Sequence, residues 1–408
     1  MSMVSTAAGE AATHSDLAVR PCVADLVNRA KAMIPVLRER EADAIRNRQV
    51  PFETIQEFRD AGFFRVLQPA RYGGFEMSPA VYCEIAKTLA EGCMGSAWVY
   101  GVVAVHNWQL ALFDPQAAED VWSIDNSVLI SSSYMPTGKA TKVDGGYRLS
   151  GRWAFSSGSE HCQWVILGGN MIAEDGNGVP EPYNFLVPRS DYQIMDTWHV
   201  MGLCPTGSND IIVEDAFVPA HRVIRERDMF NLSCPGHAEN TAALYRIPFA
   251  QLFNRTVSTT SLGSLRRALD TFVEATRQKR ATYTGARLAA DTTIQKAVAD
   301  VTLTLTDLEL RLASDLAELE SRALSGDWPI ERRAQLGHHT TTMVSRCVEA
   351  IDKLMLFSGG KAIYLGNVIQ RAFLDIHCAR AHVANNPYPY ARNLGGLTFG
   401  FENDCMDL

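Results

Sequence analysis

The sequence predicts an α+β protein, mainly α, with an N-terminal helical domain, a middle antiparallel β-domain and a C-terminal four-helix bundle. Three observations lead there. Apolar residues recur at helical spacing from about residue 22 to 125, the period drops to two near Asn126 and holds to Pro219, and helical spacing returns from residue 253 almost to the end. The 408 residues suffice for two or three domains, and 47% hydrophobic with 21% charged residues is the balance of a globular chain with a large core. The boundaries expected are a flexible N-terminus over 1–21, helices over 22–125, the β-domain over 126–222, a connector over 223–252, the bundle over 253–390 and a tail over 391–408.

Each element has its own signal. Val23, Leu26, Ala30, Met33, Ile34 and Leu37 mark a first amphipathic helix, with a kink expected at Pro35. A second helix starts near Pro51 and stops at Gly62, and Ser78-Pro79 restarts the helical pattern. The mostly apolar stretch 78–113, broken by Gly92 and Gly95, reads as two helices meeting inside the core. On the second of them Trp98, Val102 and His106 lie at i, i+4 and i+8, so they share one face over about 12 Å. In the β-domain, Asp144-Gly145-Gly146 is a hairpin turn between two alternating runs. Four long helices follow, over about 253–283, 292–323, from Pro329 to Phe357, and 367–384; Ser358-Gly359-Gly360 ends the third.

Composition and missing motifs exclude several functions. A net charge of -8 argues against nucleic acid or an anionic membrane as the main partner. Nine cysteines without a C-x-x-C spacing suggest neither structural zinc nor a disulfide framework, and no run of eighteen apolar residues occurs. The first residues carry no basic start or apolar segment of an export signal, so the cytoplasm is expected. Residues 202–208, GLCPTGS, have phosphate-loop spacing, but Ser208-Asn209 stand where Lys and Ser/Thr are required. Neither G-x-G-x-x-G nor G-x-S-x-G is present, which speaks against a nicotinamide site and a hydrolase elbow. Asp375, His377 and His382 give D-x-H without a third ligand, so no metal is expected.

Two serine-rich stretches stand out. In GRWAFSSG, Trp153 and Phe155 alternate with Arg152 and Ala154 before Ser156, Ser157 and Gly158 break the strand; upstream, Ser131, Ser132 and Ser133 end the run 128–130. Either alone is an ordinary turn, but two in one β-segment between long helices suggest a cradle for a flat polar ligand. His106, on an apolar segment, reads by itself as a core histidine.

GFFRVLQPARYGG, VVAVHNWQLALFD, ISSSYMPTG, GRWAFSSG, HVMGLCPTGSNDIIVEDAFVP and QRAFLDIHCARAHVANNP, in this order within helix–β–helix, resemble the acyl-CoA dehydrogenase superfamily over nearly the whole chain. Within it they are similar to the flavin-dependent aromatic hydroxylases, especially the oxygenase component of 3-hydroxy-9,10-secosteroid monooxygenases. The resemblance implies reduced flavin (FMNH2 or FADH2), O2 as co-substrate, a separate NAD(P)H:flavin reductase, a small aromatic substrate and a homotetramer. It places Trp98, Ser131, Ser132, Ser133 and the corner Trp153, Phe155, Ser156 and Ser157 around the flavin ring, with Ser157 close to N5. Arg280 would reach a flavin phosphate, usually across a subunit boundary. Ser358, Gly359 and Gly360 would form a further flavin-contacting turn. His106 corresponds to the substrate-side histidine, and His382, followed by Val383, to the one beside the reactive flavin carbon.

One departure bears on the reaction. Where acyl-CoA dehydrogenases carry a catalytic glutamate in a Tyr-Glu-Gly motif, this chain reads Arg380-Ala381-His382-Val383-Ala384-Asn385-Asn386, without a carboxylate. That favours oxygen chemistry: a flavin C4a-hydroperoxide delivering oxygen to a phenolic ring ortho to the hydroxyl, with His106 as general base, His382 at the peroxide and Ser157 holding the N5 proton. The alternatives are an N-hydroxylase acting on an amine, an acyl-CoA dehydrogenase-like flavoenzyme, and an inactive helical assembly protein.

Overall fold

The computed structural model describes residues 20–172 and 180–403. The flexible segment expected over 1–21 thus lies outside the described residues except for its last two, and so do the last five residues of the tail. Five helices open the chain: α1 (Val23–Asn47), α2 (Phe52–Asp60), α3 (Pro79–Ala90), α4 (Met94–Leu110) and α5 (Pro115–Trp122). Their starts follow the caps. Ser78 accepts from the amide of Ala80 ahead of Pro79, and Asp114 accepts from that of Gln116 ahead of Pro115. α1 runs as one helix through Pro35. All seventeen residues of α4 are buried, so it is the central helix around which the other layers pack.

The middle domain is one seven-stranded sheet of β1 (Ile130–Val143), β2 (Gly146–Ser156), β3 (Trp164–Ile172), β4 (Pro180–Pro188), β5 (Gln193–Met195), β6 (Asn209–Pro219) and β7 (Val223–Arg225). The order is β5-β6-β2-β1-β3-β4-β7. The expected hairpin joins β1 to β2 with Val143 opposite Gly146. The sheet is mixed where an antiparallel one was expected, because β1 and β3 run parallel, Ile130 opposite Trp164. After the hairpin, β2 ends beside the start of β1, and residues 157–163 cross at that end to launch β3 on the other side of β1. Alternation of apolar residues has the same period in both directions, so it carried no information on this pairing.

The connector contains α6 (Glu226–Asn231), and the C-terminal domain holds α7 (Phe249–Gln278), α8 (Thr292–Ser325), α9 (Ile330–Ser358), α10 (Val368–Arg380) and α11 (Pro387–Thr398). α7 begins four residues earlier than its periodicity suggested and stops at Gln278, where the chain leaves as an arm over 279–291. The fourth expected helix ends at Arg380. Asn386 then caps a fifth, with Pro387 in its first turn, so helix continues past residue 390. Among the described residues, no helix is long and apolar enough to cross a membrane, and no group of three or more His, Cys, Asp or Glu could hold a metal ion.

A buried ion pair links helices of the bundle. Arg255 of α7 is fully buried, and its Nη2 lies 3.5 Å from Asp315 Oδ2 of α8, whose other oxygen is 3.1 Å from His339 Nδ1 of α9. Replacing Asp315 by Ala leaves the guanidinium buried without its counter-charge, and we expect a loss of about 3–5 kcal/mol in urea unfolding. A loss below about 1 kcal/mol would show that the pair does not hold the three helices.

Candidate functional site

α4 supplies the floor of the site. Trp98 Nε1 donates to Ser157 Oγ at 3.3 Å, and Ser157 Oγ lies 2.7 Å from Ser208 Oγ. Ser208 Oγ is in turn 2.7 Å from Thr206 Oγ1, which donates to the Leu203 carbonyl at 2.9 Å. Backbone shape brings these groups together. Gly158 (φ 70°) donates its amide to the Thr206 carbonyl at 2.8 Å, and a Cβ on Gly158 would stand 2.9 Å from Val99. At Gly95 a Cβ would meet the Pro205 ring at 2.8 Å, so both turns lie directly on α4. Leu203 itself has φ 54°, and its amide donates to Asp375 Oδ1 of α10 at 2.6 Å. Arg371 stands 3.5 Å from the same oxygen, and Asp375 is buried, which pushes its carboxyl up to about 6.

His106 lies two turns along α4. Its Nδ1 is 2.6 Å from the Ile130 carbonyl at the start of β1; since a carbonyl only accepts, Nδ1 carries the proton and Nε2 presents a lone pair. Nε2 is buried without a hydrogen-bond partner. Burial pushes the ring's pKa down to about 4, the bond to Ile130 opposing it, so the ring is neutral at ordinary pH. His382 has the opposite polarity. Its Nδ1 accepts from the Ala384 amide at 3.1 Å, so the proton of the neutral ring sits on Nε2. Burial lowers its pKa as well, and the ring stands edge-on to Trp98 at 5.7 Å.

The structure therefore brings together Trp98, Ser157 and His382, with His106 on the same helix. The other expected residues divide. Ser131–133 lie in strand β1 and form no corner; the pairing of β1 with β3 shifts register just after them. Ser131 Oγ and Ser156 Oγ are buried without partners, while Ser133 Oγ is tied to the Ala154 carbonyl at 2.7 Å. Trp153 stands apart: it is fully buried in the core of the sheet, with Nε1 bonded to the Gly168 carbonyl at 2.7 Å. Phe155 has φ 67°, which breaks the alternation and turns a ring that is 60% exposed towards Trp198. Val383 is exposed next to His382.

Arg280 and the turn 358–360 form a separate group. Arg280 bridges Arg287 in the exposed arm and donates to the Gly285 carbonyl at 2.8 Å; Lys279 Nζ donates to the Ser358 carbonyl at 2.9 Å. Gly359 has φ 74°. No described contact joins this group to Ser157 within one chain.

Three residues lie in segments that carry the resemblance but were not singled out individually as site residues. Tyr134 packs against Phe249 and Phe253 at 5.5 and 5.1 Å, faces His106 at 6.2 Å, and donates its hydroxyl to Gln109. Phe249 and Phe253 stack on each other, and Tyr134 stands edge-on between them and the histidine. Thr206 and Ser208 belong to the stretch set aside for lacking phosphate-loop residues. Only the pairing of Ser156 with Asn209, over fifty residues away, reveals their place.

Comparison with known proteins shows the family and the fold. Residues 19–117 match the acyl-CoA dehydrogenase N-terminal domain, and residues 256–387 match the acyl-CoA dehydrogenase C-terminal domain. The flavin-dependent monooxygenase oxygenase subunit HsaA of Rhodococcus jostii (strain RHA1) is 38% identical over 363 residues, 88% of this chain and 94% of its own. The oxygenase component of p-hydroxyphenylacetate 3-hydroxylase from Acinetobacter baumannii is 30% identical over 382 residues, covering 93% of this chain and 90% of its own. The crystal structure of 3-HSA hydroxylase from Rhodococcus sp. RHA1 has a TM-score of 0.89 at 36% identity and covers 94% of this chain and 99% of that one.

The neutral state of His106 has a measurable consequence. The unfolded ring takes up a proton as pH falls through about 6.5, and the folded ring does so only near 4, so its contribution to stability is complete near neutrality and is lost between those values. Urea unfolding at pH 7 and pH 5 should show His106→Asn losing about 2 kcal/mol less than the parent on acidification. Parallel losses would mean that the ring titrates like a free histidine.

Proposed function

Because this chain belongs to the oxygenase subunits of flavin-dependent monooxygenases built on the acyl-CoA dehydrogenase fold, we propose that it hydroxylates a small phenol ortho to its hydroxyl, using reduced flavin from a separate NAD(P)H:flavin reductase. The observation that carries the phenolic reading is His106: a buried, neutral ring with a free lone pair beside an aromatic wall is a seat for a hydroxyl donor on a flat ring. A protonated amine would have to bury its charge beside the same aromatic rings.

Reduced flavin, when bound, supplies the activation of O2 and the electrophilic oxygen. Three features suit its ring to the corner at Ser157. Phe155 offers an aromatic face, Ser131 Oγ and Ser156 Oγ are buried polar atoms without protein partners, and the turn at Gly158 lies close on α4. Trp98, Ser131, Ser132, Phe155, Ser156 and Ser157 would hold the ring; Trp153 would support the corner from behind, and Ser133 would tie it to β1. Arg280, with Ser358, Gly359 and Gly360, would serve the phosphate of a neighbouring copy's flavin in a homotetramer. Exposed Tyr283, Ile363, Tyr364 and Leu365 around the arm and turn support that reading.

His106 would accept a hydrogen bond from the phenol and raise the electron density of its ring. Full proton transfer is unfavourable: a phenol near pKa 10 and a ring near 4 differ by about six units, roughly 8 kcal/mol. The histidine thus polarises the hydroxyl, and charge develops on the phenol only as the oxygen is transferred. Tyr134, Phe249 and Phe253 would give the substrate ring aromatic neighbours and exclude water, and His382 would donate from Nε2 on the Trp98 side.

With an unrelated flavin reductase and NADH, the chain should hydroxylate a simple phenol, and without the reductase it should oxidise no NADH. His106→Ala should lower product formed per O2 consumed at least tenfold and release the remainder as hydrogen peroxide. Equal coupling in both proteins would remove His106 from the substrate. Arg280→Ala should weaken reduced-flavin binding about tenfold in anaerobic titration with coupling intact; unchanged affinity would make Arg280 a solvated arm residue.

A further inference from the structure

The contacts from Trp98 to Leu203 carry information that their lengths alone do not. There are four: indole to Ser157, Ser157 to Ser208, Ser208 to Thr206, and Thr206 to the Leu203 carbonyl. Each needs one proton. The chain owns four: the indole N–H, which can only donate, and three hydroxyls, while the carbonyl can only accept. Only one arrangement fills every contact. All protons point from Trp98 towards Leu203, and any reversal leaves two oxygens facing each other 2.7–2.9 Å apart without a proton between them. Ser157 therefore receives the indole proton, gives its own to Ser208, and retains a lone pair alone for an outside partner.

We propose that Ser208 and Thr206 are positioning residues that fix Ser157 as a hydrogen-bond acceptor, and that this polarity makes the site select reduced over oxidised flavin. Reduced flavin carries a hydrogen on N5 and can donate to Ser157. Oxidised N5 bears a lone pair and would face another. The inference rests on the placement of Ser157 beside N5. Asp375 anchors the end of the relay by accepting the Leu203 amide, which holds Leu203 in its left-handed conformation.

The test is anaerobic titration of the full chain with oxidised and with dithionite-reduced FMN, giving the ratio of the two dissociation constants. Thr206→Val, close to isosteric, and Ser208→Ala should each reduce the preference for the reduced form about tenfold, equal to a shift of about 30 mV in the bound two-electron couple. Thr206→Ser, which keeps the hydroxyl, should retain the parent ratio and controls for packing damage. Ser157→Ala should lose the preference as well. If Ser157→Ala changes the ratio and neither Thr206→Val nor Ser208→Ala does, the relay does not set the polarity. If Ser157→Ala also leaves the ratio unchanged, Ser157 is not at N5, and that placement falls together with the inference.

Discussion

Main-chain groups decide which proton each polar side chain of this site carries. The Ile130 carbonyl holds the Nδ1 proton of His106, the Ala384 amide occupies Nδ1 of His382, and the Leu203 carbonyl terminates the relay through Ser157. Backbone donors and acceptors do not titrate, and in a buried region water cannot readily offer alternatives. Two buried histidines are thereby given opposite roles, one accepting and one donating at Nε2. Much of the architecture serves to deliver those three main-chain atoms: the first residue of β1, the turn after α10, and the loop before β6.

The delivery depends on α4. Because every residue of this helix is buried, it cannot shift without disturbing all three layers, and it carries Trp98 and His106 on one face. The corner at Gly158 and the loop at Pro205 approach it closely enough to leave no room for a Cβ at Gly158 or Gly95. Loop residues are thus held with the precision of a helix.

The helical domains and the β-segment between them were legible from period alone, while Trp98, Ser157 and His382, which the structure brings together, were singled out by motifs quoted in order. What sequence could not supply was pairing between distant strands. The parallel β1–β3 pair is invisible to alternation, and so is the juxtaposition of Ser156 with Asn209 that brings Ser208 to Ser157. Trp153 shows a second limit. It and Phe155 share a parity, which predicts one face for both, but the left-handed φ at Phe155 separates them and leaves Trp153 in the sheet core. Tyr134 escaped notice because an aromatic residue after three serines is an ordinary strand residue until two phenylalanines from α7 close on it.

The crossing over residues 157–163 ties competence to the order of assembly. A hairpin of β1 and β2 forms from neighbouring chain, but the seat at its end requires β3 to return beside β1 and β6 to arrive from fifty residues further on. Such distant pairings carry the largest loop-closure cost and form late. A chain in which the helices and the hairpin have formed but these pairings have not therefore lacks the contact between Ser157 and Ser208.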